Sequence, residues 1–121
     1  MTIKKILVVD DSPTERLALT ELLTARGYQV VTAENGEDAI ARSKSETPDL
    51  ILMDVVMPGM NGYQATRTIS RAEDTRRIPI IMCTSKGQET DRIWGMRQGA
   101  FDYLVKPVDP AELLARIQAL G

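Results

Sequence analysis

The 121-residue chain contains no histidine, one cysteine and one tryptophan. Without histidine, the chain can have neither a histidine general base nor a histidine metal ligand. Cys83 has no partner for an internal disulfide, and its place in an apolar run favours a small buried side chain. No apolar run reaches the length of a signal sequence or a membrane span, so we expect a cytoplasmic protein without membrane contact.

Charge of either sign is not in large excess, because 15 lysine and arginine residues face 17 aspartate and glutamate residues. The net charge of −2 provides no field that would attract nucleic acid or an anionic membrane. Hydrophobic residues make up 43% and charged residues 26%, as in ordinary globular proteins. The length indicates a single domain over residues 1–121.

Five short apolar segments alternate with five segments that carry helix signals. The apolar segments at 3–9, 29–32, 49–53, 78–83 and 100–105 are predicted strands β1 to β5. Strands separated by helices form a parallel sheet with right-handed crossovers, and nearly continuous apolar strands are buried on both faces. The sequence therefore predicts an α/β fold with three layers, in which a doubly wound parallel sheet of five strands has helices on both faces.

Helix starts are clearest after β1 and near the end of the chain. Ser12 can cap the first helix, Pro13 suits its first position, and Glu15 completes a capping box. The other helices are predicted at 36–45, 63–72 and 88–97, and after Asp109. The apolar face of the first helix is assigned to Leu17, Leu19, Leu22 and Leu23.

Polar side chains stand directly after the carboxyl ends of four predicted strands. If β1 and β3 are neighbours, three carboxylates converge at the edge where such sheets bind ligands. A cluster of this kind needs a compensating cation or proton, and oxygen donors without histidine favour Mg²⁺ as the cation. With a lysine and a hydroxyl opposite, the set predicts phosphoryl transfer to a carboxylate. The residues concerned are Asp10, Asp11, Asp54, Thr84, Ser85 and Lys106.

Each of these residues also has a plain structural explanation when it is considered alone. Asp54 could start a turn, and Asp10 and Asp11 could belong to a helix cap. Thr84 could be another cap, and Lys106 could be a solvated surface charge. Their agreement on one edge of the sheet favours the functional interpretation.

Four segments, VVDDS at 8–12, LMDVVMPGMNG at 52–62, TS at 84–85 and KP at 106–107, resemble the receiver domain of two-component response regulators. The resemblance covers the whole chain and implies a flavodoxin-like sheet of order 2-1-3-4-5. It implies that Asp54 accepts a phosphoryl group from a sensor histidine kinase or its phosphotransfer domain. The chain would then be a phosphoacceptor that assists its own phosphorylation and dephosphorylation, and not an enzyme with a separate substrate.

The same resemblance implies a magnesium site and two tuning positions. Asp11, Asp54 and the backbone carbonyl of Val56 would bind Mg²⁺ directly, while Asp10 would act mostly through a water molecule. Val56 and Lys86 follow Asp54 and Thr84 by two residues each. In this family these positions tune how fast water removes the phosphoryl group, and an apolar Val56 cannot orient that water.

The resemblance further implies a switch. Lys106 would pair with the phosphoryl oxygens, Thr84 would donate a hydrogen bond to one of them, and the Lys106–Pro107 bond is expected to be cis. Thr84 would move towards the phosphoryl group, and Tyr103 would turn inward into the vacated space. A plain core aromatic is the alternative interpretation of Tyr103.

The predicted fourth helix carries Gly95 at its middle, which lowers helix stability by about 1 kcal/mol relative to alanine. Ile93 and Met96 are predicted on its buried side, and Trp94, rotated roughly 160° from Met96, is then partly exposed. We expect Trp94, with Tyr103, in a partner surface of the fourth helix, β5 and the fifth helix. Incidental exposure of Trp94 is the alternative.

Two further segments, PTE at 13–15 and QETDRIWGMRQGA at 88–100, resemble PilH-type regulators of twitching motility. This resemblance suggests pilus or chemotaxis-type motility as the regulated process. We expect no effector domain after Gly121, so the output would be docking to a downstream protein or removal of phosphate from a kinase, without direct contact with nucleic acid.

Three other functions compete with this interpretation. A phosphorylation-independent docking module would keep the same residues without using them. A flavodoxin-like electron carrier needs a hydroxyl-rich phosphate loop after β1, where this chain has two carboxylates. An aspartyl-phosphate phosphatase would carry a second acid shortly after the nucleophile, where Val56 stands.

Overall fold

Strands and helices alternate along the whole chain in the computed structural model, which describes residues 2–121. The strands are β1 (Lys5–Val9), β2 (Gln29–Ala33), β3 (Leu50–Met53), β4 (Ile80–Thr84) and β5 (Asp102–Val105). The helices are α1 (Pro13–Ala25), α2 (Gly36–Glu46), α3 (Gly62–Arg71), α4 (Glu89–Arg97) and α5 (Pro110–Leu120). The predicted type and order of the elements are confirmed, although β1, β4 and β5 begin two residues later than predicted.

The sheet is parallel throughout and has the order β2-β1-β3-β4-β5, so the predicted 2-1-3-4-5 topology is confirmed. In this register Val9 at the end of β1 lies opposite Met53 at the end of β3. Thr84 at the end of β4 lies opposite Val105 at the end of β5. The carboxyl ends of these four strands therefore lie at one edge of the sheet, and the predicted polar residues stand at or directly after them in the chain.

Two hydrophobic clusters, one on each side of the sheet, form the core. Alternate residues of β3 enter different clusters: Ile51 and Met53 belong to one, while Leu50 and Leu52 belong to the other. All four are buried, because helices cover both faces of the sheet as predicted. Cys83 is also buried, and burial raises the pKa of its thiol to about 12. None of the helices in residues 2–121 combines the length and the apolar character needed to cross a bilayer.

Helix α1 presents a narrower apolar face than the sequence predicted. Leu23 is fully buried, but Leu17 is 58% exposed, so its assignment to the apolar face was wrong. At about 100° per residue, Leu17 lies roughly 120° around the helix from Leu23. Leu19 and Leu22 lie closer to Leu23 on the wheel and are partly buried.

Helix α4 packs on the sheet through a glycine. Ile93 and Met96 are 46% and 38% exposed, so the prediction that they form its buried face was wrong. A Cβ atom on buried Gly95 would lie 2.8 Å from Met82 Sδ and 3.0 Å from ring carbons of Tyr103. The absence of a side chain at Gly95 lets α4 approach β4 and β5 closely. Because Gly95 faces the sheet, the side chains of Ile93 and Met96 face outward.

Candidate functional site

Three charged residues each follow the last residue of a strand and are held there by one further backbone hydrogen bond. The N–H of Asp10 donates to Ala33 O (3.2 Å), and that of Asp54 donates to Val9 O (3.0 Å). The N–H of Lys106 donates to Thr84 O (2.8 Å). These bonds extend the ladders by one residue, so the three side chains leave the same edge of the sheet from fixed backbone positions.

The carboxylates of Asp54 and Asp10 are both buried and oriented by backbone donors. Asp54 is 6% exposed, and its Oδ1 accepts a hydrogen bond from the N–H of Val55 (2.8 Å). Asp10 is 2% exposed, and its Oδ1 accepts one from the N–H of Ser12 (2.9 Å). In each case the second oxygen, Oδ2, is left to face Lys106.

The ammonium group of Lys106 lies among three carboxylates. Its Nζ atom is 2.8 Å from Asp10 Oδ2, 2.7 Å from Glu15 Oε2 and 3.5 Å from Asp54 Oδ2. Burial alone would lower the pKa of Lys106, but hydrogen bonds to Asp10 and Glu15 and the charge of Asp54 outweigh burial and raise it. Lys106 therefore remains a cation at neutral pH, although its side chain is only 16% exposed.

Glu15 is part of this site, although the sequence analysis assigned it to a capping box. The N–H of Glu15 does donate to Ser12 Oγ (3.3 Å), so one half of the box is present. The reciprocal donor, the N–H of Ser12, is already bonded to Asp10. The Glu15 carboxylate accepts a hydrogen bond from Lys106 instead (2.7 Å). A glutamate in the first helical turn after a strand-end acidic pair was the sequence signal that could have indicated this contact.

The group of carboxylates fits a hard divalent cation. One carboxylate oxygen each from Asp10, Glu15 and Asp54 lies within 4.8 Å of the others. Burial raises the pKa of Asp54, Lys106 lowers it, and the nearby Asp10 raises it again, with a net upward shift. All-oxygen donors under mutual repulsion are suited to Mg²⁺. Asp11, a direct ligand according to the family resemblance, is exposed and lies outside this group.

The predicted switch residues are both buried and contact the backbone of Lys86. Thr84 is fully buried, and its Oγ1 accepts a hydrogen bond from the N–H of Lys86 (3.2 Å). The Tyr103 hydroxyl donates to the carbonyl oxygen of Lys86 (2.7 Å) and lies 3.3 Å from the hydroxyl of Tyr63. Tyr103 is therefore directed inward in this structure. The loop at Lys86 connects the two side chains.

Large apolar side chains of α4 and β5 are exposed. Trp94 is 49% exposed, in agreement with its predicted position, and Ile93 and Val105 are exposed to a similar extent. Tyr103 is 2% exposed, so it does not itself present a side chain to a partner in this conformation. Val56 is 55% exposed, next to the site.

Without metal, the free energy of unfolding of the wild type should fall relative to that of an Asp54→Asn variant as the pH rises. The pKa of Asp54 in the folded protein lies above the ordinary value of 3.8. Its contribution to folding stability is therefore complete below pH 3.8 and is lost as the pH rises through the raised pKa. At neutral pH we therefore expect the variant to be more stable than the wild type. Urea unfolding in EDTA at several pH values measures the difference. Asp10, Glu15 and Lys106 face Asp54 in both proteins, so a difference that does not change with pH would contradict the prediction.

Comparison with known proteins adds independent observations. The family model described as "Response regulator receiver domain" matches residues 6–118. Protein PilH of Pseudomonas aeruginosa is 55% identical over 116 residues, which are 96% of this chain and 96% of that protein. Two other relatives are longer than this chain: the probable transcriptional regulator ycf27 of Porphyra purpurea and the response regulator PleD of Caulobacter vibrioides. Each matches nearly the whole of this chain, but the match covers only 47% and 26% of their own lengths.

Two solved structures are similar over nearly their full lengths. Chemotaxis protein CheY4 of Vibrio cholerae has a TM-score of 0.91 at 32% identity, covering 99% of this chain and 100% of that chain. The receiver domain of the sensor histidine kinase PA1611 of P. aeruginosa has a TM-score of 0.89 at 36% identity, covering 98% and 97%. That domain was solved with a magnesium ion coordinated in its active-site cleft.

Proposed function

Because this chain belongs to the response regulator receiver domain family, we propose that it accepts a phosphoryl group on Asp54 from a sensor histidine kinase or its phosphotransfer domain. One observation carries the proposal. The buried carboxylate of Asp54 lies 3.5 Å from the ammonium of Lys106 and shares its edge of the sheet with Asp10. We further propose that the chain acts in the cytoplasm, together with this kinase.

In the proposed reaction, the donor is a phosphohistidine of the kinase or of its phosphotransfer domain. A carboxylate oxygen of Asp54 attacks its phosphorus atom. A bond forms between that oxygen and phosphorus, the bond from phosphorus to the donor nitrogen breaks, and the freed imidazole nitrogen takes up a proton. Phosphoryl transfer depends mainly on positioning and on neutralising charge. The hydrogen bond from Val55 fixes the Asp54 carboxylate, and the Lys106 cation offsets negative charge on the transferred oxygens.

The residues that would hold Mg²⁺ are Asp10, Asp11, Asp54 and the backbone carbonyl of Val56. When bound, the ion supplies positive charge that reduces the repulsion between the carboxylates and an incoming phosphate. The buried, self-repelling pair of Asp54 and Asp10 supports this assignment, since their oxygens are matched to a hard cation. Val56 and Lys86 remain the proposed tuning positions for loss of the phosphoryl group to water.

We propose that the signal leaves through the loop at Lys86. Thr84 Oγ1 accepts a hydrogen bond from the N–H of Lys86, and a movement of Thr84 towards the phosphoryl group would displace the Lys86 backbone with it. Tyr103 is bonded to the same residue and packs against Gly95, so a change there would be transmitted to α4. The proposed docking surface for a downstream protein partner consists of α4, β5 and α5, where Trp94 is exposed.

The process we propose is control of pilus-driven twitching or of chemotaxis-type motility, because the chain resembles PilH over nearly its whole length. The output is either docking of the phosphorylated protein to its partner or removal of phosphate from the kinase. In both cases the chain acts through proteins, and a net charge of −2 supports no direct role on nucleic acid.

Incubation with acetyl phosphate and Mg²⁺ tests the proposed function. We expect intact-protein mass spectrometry to show the added mass of one phosphoryl group, and we expect EDTA to prevent the addition because the acidic site then remains self-repelling. A phosphorylation-independent docking module would show no added mass in either condition. Absence of the mass increment, also with a phosphorylated kinase as donor, would overturn the proposal.

A further inference from the structure

Glu15 contacts the central cation of the site, and neither the capping box nor the proposed phosphoryl transfer explains this contact. Its Oε2 atom lies 2.7 Å from Lys106 Nζ, nearer than the Oδ2 atoms of Asp10 (2.8 Å) and Asp54 (3.5 Å). The residue belongs to the first turn of α1, which begins directly after the Asp10 loop. Glu15 thus reaches the site from a different element than the strand-end residues.

The hydrogen bonds of Lys106 leave Asp54 without a close contact to the ammonium. A lysine ammonium has three N–H donors. Two of them are used on Asp10 and Glu15 at distances of 2.8 and 2.7 Å. The separation of 3.5 Å from Asp54 is too long for a strong charged hydrogen bond. The ammonium of Lys106 therefore lies closer to Asp10 and Glu15 than to the proposed acceptor.

The two close partners of Lys106 differ in how firmly they are held. Asp10 is 2% exposed, and its other oxygen is fixed by the N–H of Ser12. The Glu15 side chain is 48% exposed, so water can solvate its carboxylate when the contact opens. Ion pairs of this exposure contribute little to stability. Glu15 is consequently the partner that Lys106 can release most easily.

We propose that Glu15 is a positioning residue that competes with the phosphoryl group for Lys106 and thereby lowers the affinity of the site for tetrahedral oxyanions. This inference rests on the proposed function. A phosphoryl group brings about two negative charges, which the Glu15 carboxylate repels while it also holds Lys106 back. Both effects act in the same direction, so removing the charge of Glu15 strengthens oxyanion binding.

The test uses beryllofluoride, a phosphoryl mimic, with the 121-residue chain at saturating Mg²⁺. Glu15→Gln is nearly isosteric and leaves the backbone bond from residue 15 to Ser12 Oγ in place. We expect it to bind beryllofluoride roughly threefold to fivefold more tightly than the wild type, the size expected for a half-exposed ion pair. Amide chemical shifts of Thr84 and Lys86 report binding, and a separate Mg²⁺ titration sets the saturating concentration for each protein.

Two variants separate this role from general effects of charge or folding. Glu21→Gln removes the same charge from an exposed position further along α1 and should bind like the wild type. Glu15→Asp keeps the charge but withdraws the carboxylate by one methylene group, so its affinity should lie between those of the wild type and Glu15→Gln. Urea unfolding confirms that all the variants fold.

The inference is overturned if Glu15→Gln and Glu21→Gln bind beryllofluoride equally while the wild type still binds it and is labelled by acetyl phosphate. In that result the proposed function stands and only the role of Glu15 is lost. If the wild type itself neither binds beryllofluoride nor accepts a phosphoryl group, the proposed function fails, and the inference that rests on it fails as well.

Discussion

Replacing Asp54 by asparagine is expected to abolish phosphoryl labelling of the chain, with a loss of at least about 100-fold in the rate from acetyl phosphate or from a phosphorylated kinase. The amide oxygen of asparagine carries no negative charge and is a poor nucleophile. Its shape is nearly that of aspartate, and it can still accept the hydrogen bond that Val55 donates to Asp54 Oδ1 (2.8 Å). The loss would therefore report chemistry and not a collapsed site.

The matched control for this variant is Asp38→Asn. Asp38 lies in the first turn of α2 and forms only a partly exposed ion pair with Arg42 at 3.7 Å. The substitution makes the same change of charge at a different surface, so labelling should remain at the wild-type level. Undiminished labelling of Asp54→Asn, measured by intact mass and peptide mapping, would move the phosphoacceptor to another residue.

The Asp54 variant also separates catalysis from stability. Because burial raises the pKa of Asp54, the asparagine protein should be at least as stable as the wild type at neutral pH without metal. A variant that loses labelling while it gains stability cannot be explained by unfolding. This combination would indicate that the carboxylate is kept for its chemistry, since an ionised side chain there opposes folding.

Replacing Gly62 by alanine is expected to cost about 3 kcal/mol or more of folding free energy. A Cβ atom at this position would lie 2.0 Å from the carbonyl oxygen of Asp54 and 2.8 Å from Val55 Cα. Both neighbours are backbone atoms, so no side-chain rotation relieves the clash. The N–H of Gly62 donates to Val55 O (2.9 Å), and this bond holds the start of α3 against the acceptor loop.

Gly27→Ala is the control that distinguishes crowding from backbone strain. Gly27 has a φ of +91°, but its Cβ would meet nothing within 4 Å. We expect that variant to lose only about 1 kcal/mol, the cost of an unfavourable backbone angle. Urea unfolding of both proteins measures the difference. A Gly62→Ala protein no less stable than Gly27→Ala would contradict the close approach between α3 and the Asp54 loop.

Gly62→Ala should also weaken Mg²⁺ binding. To accommodate the methyl group, the backbone of Asp54 or α3 must move, and metal sites tolerate only small displacements of their ligands. A magnesium titration of the folded fraction measures this effect. The glycine therefore has a functional consequence, because it permits the loop that carries the proposed acceptor to lie directly against a helix start.

The elements and their order followed from the sequence because the relevant signals are local. Apolar segments of strand length between capped helices specify a parallel sheet, and parallel strands place all their carboxyl ends on one side. For this reason the sequence predicts Asp10, Asp54 and Lys106 at the same edge of the sheet. The prediction needed each residue to follow a strand directly and β1 to lie beside β3, and the sheet order meets the second condition. Backbone hydrogen bonds beyond each strand end hold all three residues.

The partners of individual side chains followed only from the tertiary structure. Glu15 had a local partner in the capping box and a distant one in Lys106, and the choice depended on Asp10 having already taken the N–H of Ser12. Helical periodicity placed Ile93 inside, yet the helix rotated so that Gly95 faces the sheet. Nothing local to α4 encodes the position of the Tyr103 ring against which it packs.

The sequence pattern by itself thus determined the order and type of the elements and the strand ends at which Asp10, Asp54 and Lys106 stand, and the family resemblance added the strand order. The tertiary structure decided which carboxylates hold Lys106, which face of α4 is buried and that Tyr103 points inward. The physical reason is that strand ends and caps depend on neighbouring residues, whereas hydrogen-bond exchange and close packing depend on distances between segments far apart in the chain.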